Sequence, residues 1–284
     1  MNGIEHAVLA TEAAEVQDAL SGARRLYFGH EFCQKLLPTL PALAHVADVC
    51  RARQVGLTLV TPPITQPGLA PVEELLAWLE AQNASYEVVV NDWGVLHLLA
   101  RRHPRLEPVL GRLMSKQHRD PRIVRLSTGD AAPTAVDGRL VLDVALPEAA
   151  AAFYRATPLS APRTQNVLRA FGVRRVELDN PLHGFDYRPV GNGVASLYVP
   201  FGVVATSRRC TSDPRRVSDP FTDRVSRCER GCRHIAYELR AEHIAEPLYR
   251  RGNTLFFRND ALPNDTDLRR CGVDRVVHQP GLPM

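Results

Sequence analysis

Residues Arg25–Gly29, with the sequence Arg-Leu-Tyr-Phe-Gly, form a short apolar run that predicts a buried β-strand. A helical pattern follows up to Arg53, and Pro38 and Pro41 place its start near Leu40. The next apolar run, 56–61, is ended by two prolines. This alternation of strand and helix predicts parallel strands, because each helix returns the chain to the same end of the sheet.

The same rhythm continues along the chain and predicts eight strands in total. They are residues 25–29, 56–61, 86–91, 111–115, 174–179, one strand within 195–205, 254–258 and 273–277. Their continuous apolar character is typical of strands that are buried on both faces. The predicted fold class is therefore α/β, a (β/α)8 TIM-barrel-like domain or a distorted relative of it. An open doubly wound sheet is the competing fold, but no GxGxxG motif follows the first predicted strand.

Two segments interrupt the rhythm of a chain that we otherwise interpret as one domain, residues 1–284. Residues 119–162 contain several prolines and glycines, and we interpret them as an insertion after strand four. Residues 206–232 form a long irregular loop that is rich in Arg, Ser and Asp and carries three cysteines. Loops of this length inside a compact domain are usually functional or disordered.

The composition excludes few function classes. The 35 basic and 31 acidic residues give a net charge of +4, which is too mild to argue for nucleic acid but does not exclude it. No run of 18 apolar residues occurs, so no membrane span is expected. The N-terminus lacks the pattern of a signal peptide, and we expect a cytoplasmic protein. Because disulfides are rare in that compartment, the six cysteines are expected to be buried or to act as ligands.

Four of the cysteines follow or end segments that a barrel would bring to one rim. Cys33 follows the first predicted strand, Cys210 follows the sixth, and Cys228 and Cys232 end the long loop. Barrel proteins place their chemistry at the carboxyl ends of the strands, so the four thiols can meet there. Each of the other two cysteines, Cys50 and Cys271, is predicted to be a structural, buried residue.

The spacing of Cys228 and Cys232 bears on the kind of ligand they could hold. On a helix, residues four apart share one face with roughly 5–6 Å between Cβ atoms. Short zinc hairpins favour C-x-x-C, whereas the thiolates around an iron–sulfur cube lie farther apart. The spacing therefore favours iron–sulfur over zinc. A site without any metal, with the cysteines acting as small hydrophobic residues, stays open, although the many flanking arginines fit it poorly.

Five short motifs resemble the collagenase-like peptidase family (U32), and most closely its UbiV-type branch of ubiquinone-biosynthesis proteins. The resemblance covers nearly the whole chain, and the four cysteines are its most specific part. The motifs are Tyr27-Phe-Gly-His-Glu-Phe-Cys33, Asn91-Asp-Trp-Gly-Val95, Ser207-Arg-Arg-Cys210, Cys228-Glu-Arg-Gly-Cys232 and Val273-Asp-Arg-Val-Val277. The chain departs from relatives at Pro200-Phe201, where they often carry Gly-His, and at 111–121.

The resemblance implies a distorted barrel that holds a [4Fe–4S] cluster on Cys33, Cys210, Cys228 and Cys232. It also implies a role in oxygen-independent hydroxylation, which relatives carry out on a quinone precursor or on RNA bases, with prephenate as the implicated hydroxyl donor. UbiV-type proteins work as a complex with a second family member, so a heteromer is expected. Other relatives are classed as peptidases. The departures mean that the substrate does not carry over.

Several polar residues behind the predicted strands are further candidates for the site. Glu31 is either an acid–base residue or a solvated loop carboxylate, and Asp179 is a candidate by position only. Lys116 and His118, together with Arg119, either bind an anionic substrate or form a basic solvated loop. Asp92 is interpreted as the N-cap of a helix that starts at Trp93.

No nucleophile motif of the GxSxG or HExxH type is present in the sequence. Cys33 could act as a lone catalytic thiol, but the cluster hypothesis uses it better. Three functions therefore stay open: a component of oxygen-independent hydroxylation of an aromatic or nucleobase substrate, a peptidase, and a non-catalytic iron–sulfur scaffold or electron-transfer subunit.

Overall fold

The computed structural model describes residues 3–82, 84–123, 125–128, 135–136, 139–140, 143–189, 193–207, 210, 228–242 and 244–284. In chain order the strands are β1 (Glu5–Ala10), β2 (Arg25–Gly29), β3 (Gly56–Val60), β4 (Glu87–Val90), β5 (Glu107–Leu110), β6 (Arg125–Thr128), β7 (Ala135–Val136), β8 (Arg139–Leu140), β9 (Asp143–Leu146), β10 (Arg175–Asp179), β11 (Val194–Val199), β12 (Phe201–Thr206), β13 (Ala236–Ala241), β14 (Ile244–Arg251), β15 (Thr254–Arg258) and β16 (Val273–His278).

The helices have well-defined starts that follow from local sequence. They are α1 (Val16–Ala19), α2 (Leu40–Ala52), α3 (Gln66–Ala81), α4 (Trp93–Arg102), α5 (Glu148–Arg155), α6 (Pro162–Ala170) and α7 (Asp265–Arg270). The hydroxyl of Thr39 caps α2, and the carboxylate of Asp92 caps α4 by accepting from two backbone N–H groups. The structure thus confirms the predicted capping role of Asp92.

Eight parallel strands close into a barrel in the order β1, β16, β11, β10, β5, β4, β3 and β2. Pairing of β1 with β16 closes the barrel, with Glu5 opposite Arg275 and Val8 opposite His278. The pairing of β5 with β10 is the shortest contact in the ring and spans only two residue pairs. This closed parallel ring confirms the (β/α)8 TIM-barrel-like fold and excludes the open doubly wound sheet.

The outer layer departs from a regular barrel. Helices α1 to α4 connect the first five strands and α6 precedes β10, but residues 180–189 and 193, which lead from β10 to β11, contain no helix. Between β11 and β16 the chain forms a four-stranded antiparallel sheet in the order β12, β15, β14 and β13. This outer sheet lies beside the barrel because β12 contacts both β10 and β11.

The predicted and observed strands differ at four places. β1 was not predicted, because Glu5 and His6 interrupt its apolar character. The predicted strand 111–115 is a 3₁₀ helix over Arg112–Met114, and the barrel strand β5 precedes it and contains Pro108, a residue that argues against a strand in sequence. Residues 195–205 hold two strands, and residues 254–258 belong to the outer sheet instead of the barrel.

The two segments that interrupt the rhythm are only partly described. Within 119–162 the chain forms a parallel pair of β6 and β9, a β7–β8 hairpin and α5. Whether this segment is an insertion stays a prediction. Of the cysteine-bearing loop 206–232, residues 208–209 and 211–227 lie outside the described residues.

The barrel interior holds one apolar layer of eight side chains. They are Ala7, Leu9, Tyr27, Val60, Val89, Val109, Tyr198 and Val277. Polar and charged side chains occupy the barrel on both sides of this layer, and they are described below. No helix within the described ranges is long and apolar enough to cross a bilayer.

Candidate functional site

Two of the four candidate cysteines share one apolar cluster at the carboxyl rim of the barrel. Cys33 lies a few residues beyond β2, and Cys232 lies in a 3₁₀ helix over Gly231–Arg233. Both contact a cluster formed by Phe32, Leu36, Phe201, Val203, Phe256 and Met284. All six cysteines of the chain are free thiols.

The four candidate thiols lie within range of one another's charge. The pKa of the Cys232 thiol is raised to about 11, chiefly by burial and then by the neighbouring thiols of Cys210, Cys33 and Cys228. Burial also raises the pKa of the Cys33 thiol; the backbone N–H of Lys35 opposes this rise, and Cys228 and Cys210 add to it. These thiols therefore come together from segments that lie up to about 200 positions apart in the chain. We call the thiols of Cys33, Cys210, Cys228 and Cys232 the thiol site.

A single turn between β14 and β15 holds three of the segments that form the thiol site. The Asn253 amide donates to the carbonyl oxygens of Phe32 at 2.9 Å and Ser207 at 2.6 Å. The Arg251 guanidinium donates to the carbonyl oxygen of Cys232 at 2.7 Å. Because Phe32 adjoins Cys33 and Ser207 precedes Cys210 by three residues, the 251–253 turn positions cysteines from separate parts of the chain.

Gly252 is required at the centre of this turn for two reasons. Its φ angle is +58°, in the left-handed region that residues with a Cβ rarely adopt. A Cβ at this position would lie 3.3 Å from the Cβ of Cys232 and still closer to the side chain of Met284. The turn can therefore approach the thiol site closely only because residue 252 has no side chain.

The described side chains do not form a preassembled metal site. No group of three or more His, Cys, Asp or Glu side chains in the described part of the chain is arranged to hold a metal ion. Cys228 and Cys232 also do not share a helix, because Arg230 between them has a φ angle of +55°. The predicted helical spacing of this pair was therefore wrong, and the 3₁₀ turn after Arg230 orients Cys232 instead.

Three arginines lie near His30, which precedes Cys33 by three residues. The pKa of His30 is lowered to about 4, chiefly by burial and then by the charges of Arg233, Arg251 and Arg230. Arg251 also lowers the pKa of Cys232, against the larger effects of burial and the other thiols. The local positive charge would therefore stabilise an anionic group held by the four cysteines.

A buried ion network lies between β2, β5 and β10 at the same rim. The Arg112 side chain is fully buried and donates from Nε to Oε1 of Glu31 at 3.1 Å and from Nη2 to Oε2. Its Nη1 donates to Asp179 Oδ1 and to the carbonyl oxygen of Phe201, both at 2.8 Å. Its guanidinium carbon lies 4.0 Å from the ring centre of Tyr198. Arg112 thereby links its own segment to those of Glu31, Asp179, Tyr198 and Phe201.

Asp179 extends this Arg112 network to the outer sheet and to the segment after β5. Its Oδ1 accepts from the backbone N–H of Val203 at 3.2 Å, and its Oδ2 pairs with Nε of Arg119. The side chain of Gln117 accepts from the Asp179 backbone N–H at 2.7 Å and donates to its carbonyl oxygen at 3.1 Å. Two arginines thus balance the charges of two buried carboxylates, Glu31 and Asp179.

The structure brings together two of the four acid–base candidates and separates the others from them. Glu31 and Asp179 meet on Arg112, and both are at most 2% exposed. The alternative of a solvated carboxylate at Glu31 was therefore wrong. Lys116 is exposed, with a φ angle of +53°. Arg119 is committed to Asp179, so a freely solvated basic loop of Lys116, His118 and Arg119 was also a wrong interpretation.

His118 belongs instead to an aromatic group on the surface of the same rim. Its ring centre lies 4.5 Å from that of Phe153 and 5.7 Å from that of Tyr154. Tyr154 in turn contacts His183, whose pKa is lowered chiefly by burial, with a further contribution from the charge of His118. Phe153 is 61% exposed, so an aromatic side chain faces solvent beside these two histidines.

The two cysteines outside the thiol site are placed as the sequence predicted for structural residues. Cys50 is 2% exposed within the main core between strands and helices. Cys271 is partly buried against the same core, and its thiol points to the carbonyl oxygen of Phe185 at 3.9 Å. Both cysteines therefore serve as matched controls for the thiol site.

A second polar network fills the amino end of the barrel. Arg275 donates to both oxygens of Glu87, at 2.6 and 2.9 Å, and to the hydroxyl of Tyr27 at 2.7 Å. The Tyr27 hydroxyl donates to Oε1 of Glu177 at 3.0 Å, while Oε2 of Glu177 has no hydrogen-bond partner among the described residues. Burial raises the pKa of Glu177 to about 7, because the charges of Arg275 and Arg175 only partly offset it.

Glu177→Gln is expected to flatten the dependence of stability on pH between about 4.5 and 7. In this window the folded state holds a proton on Glu177 that the unfolded chain releases, so the wild-type protein loses stability as the pH rises. The difference corresponds to about 3 kcal/mol at and above neutral pH. The measurement is the free energy of unfolding in urea at several pH values, for wild type and variant.

Glu87→Gln is the matched control with the opposite sign. Burial opposes ionisation of Glu87, but hydrogen bonds and charge from Arg275 lower its pKa to about 2. Its contribution is present above pH 4.5 and is lost as the pH falls towards 2. Glu87→Gln should therefore destabilise the protein at neutral pH. Equal pH slopes in wild type and Glu177→Gln would contradict the assignment of the raised pKa to Glu177.

The fold and the site together define a (β/α)8 barrel with four neighbouring thiols and a buried ion network at its carboxyl rim. No known family model matches the chain, and no curated protein matches it either. A solved structure of the U32 peptidase Mk0906 aligns over 100% of this chain and 96% of its own length. The TM-score is 0.47 and the sequence identity 10%, a likeness on which we base no statement about function.

Proposed function

We propose that this protein binds a [4Fe–4S] cluster on Cys33, Cys210, Cys228 and Cys232. The observation that carries the proposal is that Cys33 and Cys232, from distant segments of the chain, pack in one apolar cluster at the carboxyl rim, with Cys210 and Cys228 close enough to raise the pKa of both thiols. The thiolate is the form of cysteine that binds metal, and the positive charge of metal ions offsets the mutual repulsion of neighbouring thiolates. The sulfur chemistry of the donor set fits an iron–sulfur cluster.

Three features of the surroundings support the cluster over a single zinc ion. The four-residue spacing of Cys228 and Cys232 is wider than the C-x-x-C of short zinc hairpins, and a cube of iron and sulfide accommodates this wider spacing. The apolar cluster around Cys33 and Cys232 excludes water from one side. The N–H of Lys35 lowers the pKa of Cys33, which is the effect of a backbone donor directed at sulfur.

We further propose that the protein is a component of oxygen-independent hydroxylation, as its motifs resemble the UbiV-type branch of the collagenase-like peptidase family. The substrate would be an aromatic ring or a nucleobase, and a second family member would be the partner. Replacement of a ring C–H bond by C–OH removes two electrons from the ring. A donor R–OH such as prephenate would supply the hydroxyl group: its C–O bond breaks as the ring C–O bond forms, and the hydrogen and the two electrons lost by the ring reduce the donor to R–H.

Within this function the residues of the rim have separate tasks. The bound cluster would supply one-electron chemistry at the rim. Arg251, whose charge lowers the pKa of Cys232, would balance part of the negative charge of the thiolates. The Arg112 network holds the carboxylates of Glu31 and Asp179 in ion pairs and so fixes the rim. The aromatic group around His118 offers a surface on which a planar ring could stack.

A peptidase is the second candidate, and the electrostatics of Cys33 argue against it. A nucleophilic cysteine needs a lowered pKa and a neighbouring base, whereas burial raises the pKa of Cys33. A cluster-bearing scaffold without its own activity is the third candidate. A scaffold would bind the cluster at the same thiol site as a hydroxylase component. It would differ only in forming no hydroxylated product.

The test begins with anaerobic expression and reconstitution, followed by measurement of iron, sulfide and the visible spectrum. About four iron and four sulfide per chain are expected for the cluster. A colourless protein after reconstitution, or one that holds only zinc, would contradict the proposal. Product analysis by mass spectrometry with aromatic substrates then separates hydroxylation from a scaffold, and digestion of denatured proteins tests the peptidase.

A further inference from the structure

The outer sheet ends in a strand that no other described strand covers. β13 (Ala236–Ala241) pairs with β14 on one side and forms the edge of the sheet on the other. All six of its residues are exposed, including Tyr237 at 44% and Leu239 at 40%. An exposed edge presents unpaired N–H and C=O groups and is a ready site for pairing with another strand.

Apart from its two charged residues, β13 lacks the usual features that prevent such pairing. Its sequence, Ala-Tyr-Glu-Leu-Arg-Ala, contains neither proline nor lysine. The irregularity in the hairpin lies on the neighbouring strand: from the Leu239–Leu248 pair to the Ala241–Ile244 pair, the chain advances two residues on β13 and four on β14. β13 therefore stays regular along the side that faces solvent.

The charges on β13 are complementary to the charges of the same strand in reverse. In antiparallel pairing centred on Leu239, Glu238 lies opposite Arg240 of the other copy, and the reverse pair forms as well. Glu238 and Arg240 already face the same side, because Arg240 Nη2 lies 2.6 Å from Glu238 Oε1. On the opposite face, Leu239 meets Leu239 and Tyr237 meets Ala241.

The charges also select this register over its neighbours. Centring the pair on Glu238 places two glutamates opposite each other, and centring it on Arg240 places two arginines opposite each other. Like charges in directly opposite positions destabilise a strand pair. Only the register centred on Leu239 turns all four charges of the two copies into attractive pairs.

We infer that β13 pairs with β13 of a second copy of this chain, joining two four-stranded sheets into one across a two-fold axis. The inference is independent of the proposed cluster. Its occupant is a second copy and not an unrelated peptide, because the strand complements its own sequence. The interface is small, so a reversible dimer in the micromolar range is expected.

Charge reversal tests the pairing in the full-length protein by analytical ultracentrifugation over a range of concentrations. Glu238→Arg and Arg240→Glu should each weaken the dimer about tenfold or more, because two attractive pairs become repulsive. The double variant restores opposite charges and should recover the wild-type dimer. Arg188→Glu, which reverses another exposed charge, is the control and should not alter association.

The register is tested by oxidative cross-linking. Leu239→Cys places two thiols opposite each other across the axis, at a Cα separation of about 4.5–5.5 Å that a disulfide accepts. Tyr237→Cys places them opposite Ala241 and should cross-link far more slowly. A protein that is monomeric at all concentrations, a dimer insensitive to both charge reversals, or equal cross-linking of the two cysteine variants would each overturn the inference.

Discussion

Alanine in place of Cys33, Cys210, Cys228 or Cys232 is expected to remove most of the bound iron and sulfide and the broad visible absorption of the reconstituted protein. Each thiol is one of four ligands, and loss of one leaves an iron corner of the cluster open to solvent and to oxygen. The effect should be largest for Cys232, which lies deepest and whose carbonyl oxygen is fixed by Arg251. Iron, sulfide and absorbance are measured per folded chain under anaerobic conditions.

Cys50→Ala and Cys271→Ala are the matched controls in this series. Both cysteines contact the core and not the thiol site, so these variants should keep the iron content of the wild-type protein even where they lower its stability. Circular dichroism shows whether each variant is folded. An equal iron content in all six variants, or a loss of iron as large in Cys50→Ala as in Cys232→Ala, would contradict the assignment of the ligands.

Arg112→Met is expected to destabilise the folded protein by about 3–5 kcal/mol, because it leaves two buried carboxylates without their shared partner. Glu31 and Asp179 are fully enclosed, and Arg119 alone cannot neutralise both of them. Methionine keeps much of the packing against the Tyr198 ring and removes only the charge. The free energy of unfolding in urea measures the loss.

Two further variants separate charge from packing. The triple variant Arg112→Met, Glu31→Gln and Asp179→Asn removes the uncompensated charges and should recover most of the lost stability. Arg188→Ala breaks an exposed ion pair with Asp186 and should leave the unfolding midpoint nearly unchanged. If Arg112→Met behaves like Arg188→Ala, the network is not the stabilising element that its burial indicates.

The sequence predicted the parts of the fold in which local signals agree with the tertiary structure. The apolar runs at β2, β3 and β4 and the capped helices α2 and α4 were found within a few residues of their observed bounds. β1 was not predicted because some of its side chains face a partly polar barrel interior. β5 was not predicted because it contains Pro108, a residue that argues against a strand. In both strands, pairing with neighbours overrides local propensity.

The candidate site shows the same division between local and distant information. The positions of the cysteines after predicted strands indicated that all four could meet at one rim. They did not indicate which residues each cysteine would contact. Arg112 was not predicted as a site residue, because its partners Glu31 and Asp179 are 81 and 67 positions away in the chain. The only indication in the sequence was an arginine close behind an apolar run. Many solvated loops also carry an arginine at such a position.

The roles of Arg251 and Asn253 were equally hidden, because both donate to backbone carbonyl oxygens that every residue type offers. The predicted helix through Cys228 and Cys232 failed for a local reason, the left-handed conformation of Arg230. Nothing in the sequence of residues 228–232 indicates that Arg230 adopts a left-handed conformation. Sequence reasoning identified the kinds of residues at the site and missed the elements that hold them.

The 251–253 turn has a consequence for how this protein can diverge. Its hydrogen bonds end on main-chain oxygens of Phe32, Ser207, Cys232 and Arg233, so mutations in those segments can accumulate without altering what the turn recognises. The turn itself has no such freedom, because its arginine, glycine and asparagine each supply something that no other side chain would. Homologues that keep the four cysteines should therefore also keep these three residues, although none of the three is a ligand candidate.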